Sequence, residues 1–583
     1  MKLNFDAYPQ TPHGGTLVNQ VVSEQMREGE TLRARSLPSI RVDLEAIITI
    51  EMIATGVLSP NKGFMGQADY LAVLEKGRLA DGTVWPVPLS FAPTGNVNKE
   101  IIAGLSVGDE VALTDSNNDP VAILALEDIF DYDREHRATH LFGTVDRNHP
   151  GVDSIYRRMG ETALGGTLTL LNRVDWGPFE ALRQEPKDTW RMFYEEKKFN
   201  SVAGFITGAN PLHRGHECIH RNALEEVDGI FLQPLVEMAK REYVRHEYRI
   251  RGYQNVLETY YPAERSILSP LRVTYIFAGP REAILHALIM KNYGCTHALI
   301  GRDHAGIGDF YDKYASHSIF DDYSQEELGI DVRLFNEVFY DARASIHATA
   351  NTSPNDSVRH RINISGTGIR ELLRYGYLPP KEIVRPESAL AALQGIQPKG
   401  IGEDGFATIT PIGKVIKSLF PFYLEYTRLG GEKRAEPLKV EDLTLTDLET
   451  VLADVREHAG LIYQGVFDEY AKVLEHGRAL ISPWQNEALI SLRRHQENLI
   501  AELEQKFASA SEETSDEFMY QDKGEVAREL AAAQKLLSEI PGTLDSETLK
   551  ERTWNQMPYP RYRGADKDGA DQDGSGKDGA DKE

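Results

Sequence analysis

Between residues 200 and 390, short runs of continuous apolar residues alternate with longer stretches whose apolar positions recur at helical spacing. "SVAGFIT" (201–207), "DGIFLQPLV" (228–236), "THALIG" (296–301) and "DVRLFNEVFY" (331–340) read as strands. "REAILHALIMKNYG" (281–294) reads as a helix stopped by Gly294. Strands alternating with helices predict a parallel, doubly wound sheet. In such sheets ligands sit at the carboxyl ends of the strands, so the strand-to-helix turns are where chemistry is sought.

The first turn is "FITGANPLHRGHE" (205–217). "GAN" is predicted to form the turn, with Asn210 as cap, Pro211 in the first helical position and the helix beginning near Leu212. His213 and His216 then lie one turn apart and share a face. Free amides at a helix start favour an anion, and two imidazoles beside them can stabilise charge growing on a leaving pyrophosphate. Gly215 lets a base or phosphate approach the backbone. The pattern His-x-Gly-His after a strand is similar to the signature of the nucleotidylyltransferases. A bare histidine pair also suits a metal or a plain surface.

Two further turns decide between these readings. "LIGRDHAGIGDFY" (299–311) carries Gly301, Gly306 and Gly308 for tight turns, with Arg302 and His304 able to meet phosphate. "ISGTGIRELL" (364–373) places Ser365 and Thr367 at a helix start, with Arg370 one turn in. Three phosphate-friendly turns in order favour nucleotide chemistry over coincidence.

The rest of the 583 residues divides by pattern. Residues 1–170 read as mostly β, with "VWPVPLSF" (84–91), "DEVALTD" (109–115) and "GTLTLL" (166–171) as strands. Residues 171–200 read as a helical linker containing "DTWRMFYEEKKF". Residues 396–555 read as mainly helical, with a capping box at Thr446 and Glu449 and a Ser482-Pro483 start. Residues 556–583 read as a disordered acidic tail, since the repeats GADKD, GADQD and GSGKD offer nothing to bury. A net charge of −25 argues against nucleic acid as partner. No run of 18 apolar residues and no apolar leader core is present, so neither a membrane span nor secretion is expected. Two cysteines, Cys218 and Cys295, suit idle thiols in a reducing cytoplasm and exclude a four-cysteine zinc site.

Residues 10–390 resemble the ATP sulfurylase (sulfate adenylyltransferase) family. The resemblance is carried by "PHGGTL" (12–17), "GVLSPNKGFMGQADY" (56–70), "LADGTVWPVPL" (79–89) and "NHPGV" (148–152). It continues in "NPLHRGHE", "AGPREAILHA" (278–287), "GRDHAG" and "ISGTGIRELL". The resemblance implies a PUA-like β-rich domain (1–170) before a Rossmann-like nucleotidylyltransferase domain (171–395). It implies ATP with magnesium, no protein-bound metal, and a homo-oligomer. It implies that sulfate attacks the α-phosphorus of ATP to give adenosine 5'-phosphosulfate and pyrophosphate, or the reverse. His213 and His216 would stabilise the pyrophosphate portion, and Thr207 and Asn210 would position the phosphates. Gly301, Arg302, Asp303 and His304 would line the nucleotide, and Ala305 would offer its amide to sulfate.

The chain departs from the family where sulfate is held. The family reads Gln-x-Arg-Asn-Pro before the histidines. Here Ile206 stands for the glutamine, and Gly208-Ala209, one residue longer, stands for the arginine. Ile276 stands where the family tends to have a further arginine. Ala209 and Arg214 join Ala305 as candidate anion contacts, and Lys240, Arg241, Arg272 and Arg281 are further cations within reach. No G-x-x-x-x-G-K-[ST] stretch occurs, so a fused adenylylsulfate kinase is not expected. The alternatives are adenylylation of another oxyanion or small acid, and a catalytically weak nucleotide-binding regulatory homologue.

Overall fold

The computed structural model describes residues 3–396 apart from 237–242, 274–275, 308–309, 355–359 and 375–378, with scattered positions between 426 and 538. The first domain is built on five strands: β1 (Ser39–Arg41), β2 (Gly63–Phe64), β3 (Glu110–Thr114), β4 (Pro120–Asp131) and β5 (Thr162–Leu170). Their order is β1-β3-β4-β5-β2, antiparallel except for the β1–β3 pair.

This domain holds more helix than its sequence advertises. The Leu44–Ala54 helix reads LEAIITIEMIA, whose β-branched residues favour a strand by propensity. Asp43 overrides that preference by accepting from Ala46 N (2.9 Å), and Ile48, Ile50 and Ile53 are buried. "VWPVPLSF" is not a strand. Only Val84 forms an isolated bridge, to Arg78, because Pro86 and Pro88 cannot donate to a ladder.

The second domain follows its periodicity closely. Strands β6 (Val202–Thr207), β7 (Gly229–Pro234), β8 (Ser266–Leu268), β9 (His297–Gly301) and β10 (Asp331–Phe335) form one parallel sheet, ordered β10-β9-β6-β7-β8. "DVRLFNEVFY" is split. Its second half enters a separate antiparallel sheet of β11 (Phe339–Asp341), β12 (Ile346–Ala348) and β13 (Arg361–Asn363). The sheet order reverses between β6 and β9, which makes their carboxyl ends the crevice where a ligand belongs.

The two domains share a core. Trp85 and Leu89 of the first domain lie in one apolar cluster with Ile206, Phe231, Leu288 and Tyr293 of the second. Asn292, fully buried, pins the domains together: its amide donates to Val57 O (2.9 Å) and Ser59 O (3.0 Å) and accepts from His13 N (2.9 Å). Beyond residue 396, Leu503 and Ala533 pack with Ile500, Phe507 and Leu530. The Thr446–Glu449 and Ser482–Pro483 helix starts and the acidic tail lie outside the described residues. Among the described residues no helix is long and apolar enough to cross a membrane.

Candidate active site

The turn after β6 is closed by its own polar groups. Thr207 Oγ1 accepts from Ala209 N (3.0 Å), and Thr207 O accepts from Leu235 N (3.0 Å). Asn210 does not cap the following helix. Its amide clasps the Val244 backbone in both directions, donating to Val244 O (3.1 Å) and accepting from Val244 N (2.9 Å). With that amide committed, the cap position falls to His213, and the helix runs Arg214–Glu226 rather than starting at Pro211 or Leu212. Arg214 N finds Ile383 O (2.9 Å) instead. Ala209 is buried among apolar residues of the Phe205 cluster, so it offers no side chain to an anion.

His213 and His216 stack face to face, ring centroids 3.8 Å apart and planes 29° from parallel. The Nδ1 atom of each is buried without a hydrogen-bond partner. Burial depresses both imidazoles: His216 falls to about 4, and His213, also repelled by His216 and Arg370, lies well below the ordinary value. Both rings are therefore neutral near pH 7. Gly215 leaves room for the ring, since a Cβ there would press on His213 at 3.2 Å. A buried polar atom without a partner is costly in a folded protein. Two of them side by side, at the start of a 13-residue helix, mark a place built for a ligand with hydrogen-bonding oxygens.

The turn after β9 is organised differently. Arg302 pairs with Glu337 (2.9 Å), not with its neighbour Asp303. Asp303 is exposed and folds over Gly306, where any Cβ would collide with its carboxylate. His304 is engaged within the protein. Its Nε2 lies 2.8 Å from His286 Nδ1, and its carbonyl accepts from Ser316 Oγ (2.6 Å). Ala305 has φ +56°, the left-handed region that a residue with a Cβ rarely adopts.

The third turn reaches back to the first. Ser365 Oγ accepts from Gly368 N (3.4 Å), an ordinary cap for the Gly366–Arg374 helix. Thr367 is exposed and accepts from Arg370 Nη2 (3.3 Å). Arg370 Nη1 donates to Asn210 O (2.7 Å), and its guanidinium lies 4.4 Å from the Tyr243 ring centroid. Thr207, Asn210, His213, His216 and Arg370 are thus brought together, and Gly301 ends the strand beside them.

The candidate cations are mostly occupied. Arg281 donates to Val73 O, Leu74 O and Pro86 O of the first domain. Arg272 donates to Asp175 O (3.0 Å). Arg214 lies 3.9 Å from Glu217, which Arg385 holds more closely at 3.0 Å. Lys240 and Arg241 fall outside the described residues. One cation escaped the sequence reading. Arg249, buried on the inward face of the His246–Tyr260 helix, donates to Leu235 O beside the end of β6. Glu282 and His286 also went unassigned, although their i, i+4 spacing in "AGPREAILHA" puts them on one helix face. Among the described residues no group of three or more His, Cys, Asp or Glu is placed to hold a metal ion.

Residues 180–394 match the family model described as ATP-sulfurylase, and residues 10–173 match that of a PUA-like domain. The chain is similar to the sulfate adenylyltransferase of Synechococcus sp. (strain JA-3-3Ab), 42% identical over 400 residues, covering 69% of this chain and 99% of the relative. It is as similar to that of Halothermothrix orenii, 42% identical over 387 residues, covering 66% and 99%. Among solved structures, the hexameric APS kinase from Thiobacillus denitrificans shares the fold at a TM-score of 0.53 and 20% identity, covering 80% of this chain and 89% of that one.

Proposed function

The chain belongs to the ATP-sulfurylase family and is a nucleotidyltransferase, and on that premise we propose how its residues carry out the sulfate adenylyltransferase reaction. ATP lies across the crevice between the ends of β6 and β9, with its β- and γ-phosphates over His213 and His216. Sulfate is already a nucleophile, so no general base is required; the protein positions groups and neutralises charge. As the bond from the α-phosphorus to pyrophosphate breaks, charge grows beside two neutral imidazoles. A nearby anion raises their proton affinity, which offsets the penalty of burial and makes their hydrogen bonds charge-assisted. The stacked, unpartnered pair is the observation that carries this reading.

Thr207 and Asn210 act by shaping the turn, since both side chains are engaged within the protein. Gly301, Arg302 and Asp303 border the nucleotide, Ser365 and Thr367 open the helix that faces the phosphates, and Ala305 offers its amide to the acceptor. Magnesium enters as the counter-ion of ATP. The groups around the histidines are imidazole, guanidinium and amide, and the nearby Glu217 is held by Arg385, a donor set that suits phosphate rather than a resident metal. Free Cys218 and Cys295 suit the reducing cytoplasm where we place the enzyme, as a homo-oligomer.

A second reading has its own observation. Ile206 is buried in the apolar core, and the Gly208-Ala209 turn carries no polar side chain, so the acceptor pocket lacks two groups the family uses. The acceptor would then be another oxyanion. Pyrophosphate release from MgATP, measured with sulfate and with a panel of other oxyanions, separates the readings. Release with sulfate supports the first, and release only with another oxyanion supports the second. ATP binding without release under any anion would leave a nucleotide-binding homologue.

A further inference from the structure

Two residues outside the glycines hold left-handed backbone on the acceptor side of the crevice: Phe277, with φ +62°, and Ala305, with φ +56°. Each such conformation is strained and persists only where its surroundings over-determine it. One buried network surrounds both. Glu282, 1% exposed, accepts from Ile276 N (3.2 Å) and Ala278 N (3.1 Å), the residues flanking Phe277. Four residues along the same helix, His286 lies with Nε2 3.8 Å from Glu282 Oε1, longer than a hydrogen bond but within reach of the carboxylate's field. Its Nδ1 lies 2.8 Å from Nε2 of His304, the residue before Ala305. Tyr311, beyond the same loop, donates to Phe277 O (2.9 Å).

We propose that Glu282 and His286 are positioning residues for adenylyl transfer: with His304 they form a carboxylate–imidazole–imidazole chain that fixes the tautomer of His304 and holds Ala305 so that its amide faces the acceptor anion. The proposal rests on the functional reading above. The chain has a direction. A Glu282 carboxylate accepts backbone N–H groups of the Ile276–Ala278 stretch, and an imidazole nitrogen 3.8 Å away is favoured with an N–H rather than a lone pair toward that charge, so His286 carries its proton on Nε2. His286 Nδ1 is then a bare acceptor, and His304 must donate from Nε2. Only one hydrogen sits between the two rings, so the tautomer of one dictates that of the other. His304 is thereby held at its ring by His286 and at its carbonyl by Ser316, and Ala305 follows directly.

A neutral Glu282 would lose its preference between the two His286 tautomers and release the chain. Burial lifts its carboxyl to about 7, while burial, with His304 beside His286 and His317 beside His304, keeps both imidazoles uncharged. The other titratable groups facing the chain are Tyr311, which feels Glu282, and His317, which feels His304. The preference is therefore fully present above about pH 7 and fades below it.

The test uses full-length protein labelled with 15N-histidine, His304 being assigned by difference with His304→Gln. Wild-type His304 is expected to be protonated at Nε2 above about pH 7 and to become a tautomer mixture below it. Glu282→Gln should show the mixture at every pH, and should raise KM for adenosine phosphosulfate on the order of tenfold with kcat and KM for pyrophosphate near wild type, the scale seen when a ligand's supporting partner is lost. A wild-type His304 protonated at Nδ1, or a signal indifferent to pH across this range, overturns the proposal without any variant having to fold. A soluble Glu282→Gln protein with wild-type tautomer and KM overturns it as well. The nitrogen signals need no turnover, so failure of the functional reading and failure of the chain are told apart.

Discussion

The turns after β6 and β9 leave one sheet side by side, yet they are built in opposite ways. The first ends in two imidazoles whose Nδ1 atoms are buried and unpartnered. The second is netted to its surroundings: Arg302 to Glu337, His304 to His286 and Ser316. Groups that meet the reacting atoms are left without a protein partner, because the ligand completes them. Groups that position backbone are satisfied already. This contrast supports the proposed division of labour, with charge stabilisation at the first turn and presentation of amides at the second.

Removing the unsatisfied groups should do the most damage. His213→Ala or His216→Ala is expected to lower kcat by a factor on the order of 10² or more, the scale for losing a group that stabilises developing charge. Steady-state rates near wild type in both variants would dismantle the assignment. Arg370 joins the first turn to the third, and Arg370→Ala should lower kcat/KM about tenfold, as a charged hydrogen bond to Asn210 O is lost.

The histidines also set a stability slope. Burial pulls His216 and His304 to about 4, below the unfolded value near 6.5, so the folded protein binds fewer protons between those limits. Their contribution is fully present above about pH 6.5 and is lost as pH falls toward 4. Glu282, raised to about 7, has the opposite sign and is outnumbered, since His13 is also pulled to about 4 and His246 to about 3. The melting temperature should fall between about pH 7 and pH 5, and His216→Asn should flatten that slope. A melting temperature that rises on acidification contradicts the buried, neutral pair. The smallest effect is expected far from the crevice, at exposed Leu32: Leu32→Ala should change stability by no more than about 0.5 kcal/mol and leave turnover unmoved.

Sequence pattern reached the sheet more easily than the side chains. Strands buried on both faces leave continuous apolar runs, so β6, β7 and β9 are legible, and with them the place of each turn. The histidine pair is legible because its spacing is local. What escaped depends on partners distant in the chain. Asn210 looked like a cap because Val244, which claims its amide, lies 34 residues on. Nothing in "GRDHAG" announces that His304 meets His286. Arg249 went unnoticed because a helical arginine reads as solvated until Leu235 O is found against it. In the first domain, the isoleucines of the Leu44–Ala54 helix favour a strand by propensity, and the Asp43 cap together with burial around that helix decided otherwise.

The most direct measurement is ATP formation from adenosine phosphosulfate and pyrophosphate with magnesium, on the purified full-length chain. ATP production that His213→Ala abolishes is the result predicted here. It would mean a working sulfurylase that holds sulfate without the family's glutamine and arginine. No ATP from a protein that still binds MgATP would contradict the account, and would leave the crevice between β6 and β9 as the site of another acceptor or of nucleotide binding alone.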